Sequence, residues 1–165
     1  MDRVPDHGVQ WRDDLTPFLR SLGVYILNPA DKPVGLGAIE TGDWKEQRQA
    51  AKLRGDWDAV ANMMDPIVHV DLRMVDSSDF LIVNLDMNAK PSGTFAEMTM
   101  AAYERKPIII HCAEGKAHVP DWWFGHAKHH MFFGTWDEVK WYLNHVNSAE
   151  HYETYGRWLL WKYLE

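Results

Sequence analysis

The chain has 165 residues, with 17 Lys and Arg against 24 Asp and Glu, for a formal charge of −7. That length suits one domain with a real core, and the charge argues against an electrostatic footprint for duplex DNA or RNA, though a local arginine can still hold a small anion. An ordinary globular balance of 46 % apolar and 25 % charged residues, no apolar run near a membrane span, a polar start and one cysteine, Cys112, together predict a cytoplasmic protein without a disulfide.

In chain order, Met1 to Gly8 reads as a loop by composition. Trp11, Leu15, Phe18, Leu19 and Leu22 then recur at helical spacing, and Gly23 stops that helix. Val24-Tyr25-Ile26-Leu27 reads as a strand closed by Asn28-Pro29. From about 30 to 60 the only strong pattern is a charged helix near Trp44 to Arg54, so the region is expected to be an insertion able to fold over a site as a lid. Its Gly35-Leu36-Gly37 lacks the residues of a phosphate loop, and Lys45, Arg48, Lys52 and Arg54 read as a solvated face. Asp65-Pro66 offers a cap and a first-turn proline for the next helix, which carries Ile67, Asp71, Met74 and Val75 on one side. Asp71 thus falls on or beside an apolar face, where an ionised carboxylate needs a partner such as Arg73 or a backbone N–H, unless it faces a cleft. Asp76 and Asp79 read as helix-end and turn residues.

Phe80 to Leu85 is a short, nearly unbroken apolar run, the pattern of a parallel strand covered on both faces. Turn residues and Pro91 follow, and after Gly93 a helix is expected with Glu97 in its first turn. Taken alone, Thr94-x-x-Glu97 is best explained as a capping box. Pro107 to His111 reads as another buried strand, and Cys112 as a small core residue. His126-x-x-His129 offers two zinc ligands on one helix but no third, so no metal is expected. Met131-Phe132-Phe133 closes the strand pattern, and Gly134-Thr135-Trp136-Asp137-Glu138 starts a helix through a second capping box. The tail from Ser148 to Glu165, with Trp158 and Trp161 among the chain's nine tryptophans, reads as an aromatic helix that docks on another copy.

The words Asp79-Phe80-Leu81-Ile82-Val83, Ser92-Gly93-Thr94-Phe95-Ala96-Glu97 and Lys106-Pro107-Ile108-Ile109-Ile110 together resemble the nucleoside 2-deoxyribosyltransferase family, including its deoxynucleoside 5'-phosphate N-hydrolase relatives. The resemblance covers about residues 15 to 140. It implies an α/β fold, a Rossmann-like doubly wound parallel sheet in three layers, as one domain with strands near 24–27, 80–85, 107–111 and 131–133. It implies Glu97 as the nucleophile at C1' of a deoxyribonucleoside or its 5'-monophosphate, and Asp71 as its proton-handling partner. Asp86, Ser92, Gly93 and Thr94, around the strand end and the helix start, become substrate contacts. Members usually begin with a central strand that is not evident here. Its place implies either an internal methionine at the start or another segment in the slot, with Asp2 and Arg3 near the base or phosphate. No cofactor is implied, and the partners expected are a small nucleoside or nucleotide and other copies of the chain. A non-catalytic nucleotide-binding module on the same fold and an NAD-type glycohydrolase are the competing readings.

Overall fold

A computed structural model describes residues 10–31, 42–89 and 91–148. Among these the chain forms a mixed α/β structure with six α-helices around a small, open, parallel sheet. Helix α1 spans Gln10–Ser21, α2 Gly42–Arg54 and α3 Trp57–Ser77. Strand β1 (Leu81–Asn84) leads into α4 (Ser92–Tyr103), and β2 (Ile108–His111) into α5 (Asp121–His126). Strand β3, Phe132–Phe133, is followed by α6, Trp136–Asn147. Sequence order is also sheet order, β1-β2-β3, with Leu81 opposite Ile108 and Ile110 opposite Phe132.

The core sits where apolar runs meet. Ile108, Ile109 and Ile110 of β2 are fully covered, as a central parallel strand requires, and Met98, Ala101, Phe132 and Val139 pack around them. Leu15 and Leu19 bring the apolar stripe of α1 to the same cluster, at the spacing visible in the sequence. Helix α6 begins at the expected capping box: Thr135 Oγ1 accepts from the Glu138 N–H, and Glu138 Oε2 accepts from the Gly134 and Thr135 N–H groups.

Several local expectations are corrected. Val24 to Leu27 carries no ladder to a described strand, so the described sheet has three strands rather than four. Helix α3 starts more than two turns before Asp65-Pro66, because Asp56 caps it through the Ala59 N–H and Pro66 is accommodated inside the helix. His126 and His129 do not share a helix: α5 ends at His126, and His129 opens a short 3₁₀ turn. No group of three or more metal-ligating side chains occurs among the described residues. None of their helices is long and apolar enough to cross a membrane.

Lys106-Pro107 has a clear local use. Arg105 takes a left-handed φ of 61° at the end of α4, with Arg105 N–H bonded to Ala102 O and Lys106 N–H to Ala101 O. That turn aims Lys106 Nζ at the last carbonyls of α3, Val75 O and Asp76 O, both at 2.6 Å. A cation at a helix C-terminus compensates the dipole and ties α3 to the start of β2.

Candidate functional site

Helices α3 and α4 pack on each other, and α4 also packs on β1 and β2. Strand β1 is an edge of the described sheet. Leu81 and Leu85 donate toward β2, to Pro107 O and His111 O, so the backbone groups of Ile82 and Asn84 point the other way. On that side lies a cavity of about 640 Å³. Its walls are α1 (Trp11, Arg12, Leu15), the Val24–Leu27 segment, α3 (Asp71, Met74, Val75) and the start of β1, with Glu97 from α4.

Two residues singled out by the sequence, Asp71 and Glu97, therefore line one cavity from different helices. Both are half-buried, and the Asp71 Oδ1 atom is covered from solvent. Arg73, the sequence's suggested partner for Asp71, pairs instead with Asp76. The capping account of Glu97 does not hold. Helix α4 starts at Ser92 behind Pro91, without a side-chain cap, so Thr94 is already inside the helix and Glu97 lies in its second turn. A capping box needs its first residue outside the helix with its oxygen aimed at open N–H groups. Thr94 is not in that position.

The remaining sequence candidates among the described residues do not line this cavity. Asp86 follows β1 and accepts the Asn88 N–H at 2.8 Å, an Asx turn, while Asn88 Nδ2 reaches Glu114 Oε1 at 3.2 Å. Ser92 and Gly93 are exposed in the first turn of α4 and Thr94 is half-buried there. Asp2 and Arg3 lie outside the described residues, as do the aromatic tail beyond Ser148 and part of the expected lid. The described part of that lid region, α2 and the start of α3, forms two helices packed together, and none of it lines the cavity.

The sequence reading missed a second group of residues. His111 and Asn84 end β2 and β1 at the carboxyl edge of the sheet, with His111 Nδ1 2.7 Å from Asn84 Oδ1. His111 is the one buried polar side chain among the described residues. Burial pushes its pKa below the usual histidine value, against the opposing pull of the Gly134 backbone and the Glu114 and Glu138 carboxylates. Its ring stacks on Trp136 at 4.1 Å, and Trp136 stacks on Trp11 at 4.9 Å and 8°. Arg12 Cζ lies 4.4 Å from the centre of the Trp11 ring, at the cavity wall. The available signal was a histidine at a parallel strand's carboxyl end, the edge at which ligands gather in open α/β sheets. Nearby Cys112 is buried, and burial with the Glu114 carboxylate raises its pKa, as suits an inert core thiol.

No family model, curated protein or solved structure matches the chain.

Proposed function

We propose that the chain cleaves, or transfers across, the N-glycosidic bond of a 2'-deoxyribonucleoside or its 5'-monophosphate. Glu97 is the nucleophile and Asp71 handles the proton. One observation carries the reading: two carboxylates from separate helices line a single cavity, and Glu97 is not in a capping position that accounts for it. Such a pair is what the chemistry requires. The Glu97 carboxylate attacks C1' as an oxocarbenium-like centre develops, and the C1'–N bond breaks. The base leaves with a proton supplied by Asp71, and the sugar remains as an ester of Glu97. Asp71, now ionised, takes a proton from water or from an incoming base, which displaces Glu97 from C1'. Water gives a hydrolase and a base gives a transferase. A retaining site of this kind holds its two carboxyl groups about 5–5.5 Å apart when loaded.

A Rossmann-like doubly wound sheet in three layers, a cytoplasmic location and assembly into a homodimer or larger homo-oligomer belong to the same proposal. The test is Glu97→Gln in the full chain, assayed for free-base release from deoxynucleosides and their 5'-monophosphates, with and without an acceptor base. The variant keeps its fold and loses base release by several orders of magnitude. Wild-type protein that releases no base across the panel overturns the proposal in favour of a non-catalytic binding module.

A further inference from the structure

Asp71 and Glu97 reach their common cavity from two helices, so their separation is set by whatever fixes α3 against α4. The two helices pack on each other, and one residue just beyond α4 makes polar contact with both. Lys106 N–H donates to Ala101 O at 2.9 Å, four residues after Glu97. Lys106 Nζ donates to Val75 O at 2.6 Å, four residues after Asp71. Four residues span about 6 Å of helix axis, so each bond holds its helix about one turn beyond the carboxylate.

The connection is well made. Val75 O, Asp76 O and Glu104 Oε2 each lie 2.6 Å from Nζ, matching the three donors of an ammonium. The side chains of Lys106 and Glu104 are only 15 % and 25 % exposed, so water and salt screen this group less than a surface pair. Ser78 also holds Val75 O, through its N–H and its Oγ, but from the end of α3 itself. Lys106 brings the connection from α4. The next residue extends it to β1, because Pro107 O accepts the Leu81 N–H at 2.9 Å. Val75 and Leu81 both line the cavity that holds the carboxylates.

We infer that Lys106 is a positioning residue for the carboxylate pair. By joining the α3 turn after Asp71 to the α4 turn after Glu97, it sets the separation at which the two carboxyl groups work. The inference rests on the glycosidic reading for the reaction that the pair performs. Its geometric part, a disposition of α3 against α4 that depends on Lys106, stands apart from that reading. Displacing a reacting group by about 1 Å can cost about 100-fold in rate, so a small slip between the helices is enough to matter.

The test uses the full chain with Lys106→Met, which keeps most of the stem and removes the ammonium, and Lys106→Arg, which keeps the charge on a longer planar fork. Two readouts are taken well below each melting temperature. One is kcat and KM for base release from deoxynucleosides and their 5'-monophosphates. The other is the distance distribution between nitroxides on α3 and α4, carried by His69→Cys and Thr99→Cys at exposed positions, with native Cys112 buried. Lys106→Met lowers kcat about 10- to 100-fold, changes KM less than about threefold, and shifts or broadens the distance distribution. Lys106→Arg restores most of the melting temperature, because a cation remains at the end of α3, yet leaves kcat about threefold to tenfold low. A merely structural lysine lowers the melting temperature and leaves the folded variants with wild-type kcat and distances, and that result overturns the inference. Loss of kcat with an unchanged distance distribution overturns it as well. If Lys106→Met does not fold, Lys106→Arg decides by the same two readouts. The two proposals fail separately. Distances that depend on Lys106 in a protein that releases no base remove the glycosidic reading alone. Base release with kcat unchanged in both variants removes this inference alone.

Discussion

The two sides of the sheet differ sharply. On one side of β1, strands β2 and β3 and helix α6 form a sealed unit: Ile108 to His111 are all buried, and α6 is clamped by its capping box. On the other side, β1 turns the backbone of Ile82 and Asn84 away from its partner, and a cavity is lined by its start and by the Val24–Leu27 segment, which joins no described ladder. Apolar packing and charged groups are therefore divided. The sealed side holds the fold together with apolar contacts. The open side holds the carboxylates and Arg12, groups costly to bury in a packed core.

The largest effect that sharpens this contrast is in the core. Ile109→Ala, on the sealed side, removes a fully buried side chain and is expected to cost about 2–5 kcal/mol in chemical denaturation. Ile82→Ala, half-buried on the open side, is expected to cost about 1–2 kcal/mol because its surroundings are already partly empty. Equal losses would mean that the open side is packed as tightly as the sealed one.

A smaller effect separates the two Thr-x-x-Glu words. Thr135→Ala removes a real cap and should lower stability by about 1 kcal/mol. Thr94→Ala replaces a residue inside a helix with a better helix former and should change stability by no more than about 0.5 kcal/mol. A cap-sized loss at Thr94 would restore the capping account of Glu97.

The smallest effect is on pH dependence. Burial lowers the pKa of His111 in the fold, so between that lowered value and the unfolded value of 6.5 the unfolded chain binds more protons. Stability is then full above pH 6.5 and falls as pH drops toward the folded value. His130 is shifted the same way, by burial first and then by His129, Lys116 and Lys128. His111→Gln should therefore reduce, but not abolish, the fall in stability measured by denaturation between pH 7 and 5. An unchanged slope would contradict the buried, neutral state of His111.

How far the sequence could be read follows the same division. The sealed side was legible because its signals are local: apolar runs at 80–85 and 107–111, and the Thr135–Glu138 box. The stripe of α1 was legible for the same reason. Val24 to Leu27 has strand composition, yet a strand exists only when a neighbour completes its hydrogen bonds, and that is not a local property. The start of α4 was misread by a few residues, because Ser92 and Gly93 continue the helix where a cap was expected at Thr94. That small shift moved Glu97 from the first turn to the second. Asp71 and Glu97 were legible as residues, but their meeting in one cavity depends on how α3 and α4 pack. The stacked rings of His111, Trp136 and Trp11, with Arg12 over Trp11, join residues from β2, α6 and α1, so no sequence window contains them.

The central claim is that Glu97 carries the sugar during the reaction, and it is tested most directly by finding that sugar. On the proposed mechanism Asp71→Asn slows both steps, since its amide can neither protonate the departing base nor accept the proton of the attacking water, so the substrate is chosen with a base that leaves unprotonated and only breakdown of the ester is held back. Acid quench of this variant during turnover of a deoxynucleoside 5'-monophosphate, followed by peptide mapping in a mass spectrometer, should find a deoxyribosyl phosphate adduct on the peptide containing Glu97. The adduct should be absent from Glu97→Gln. Free base released by the variant with no adduct at Glu97, or with the adduct on another carboxylate, would contradict the account.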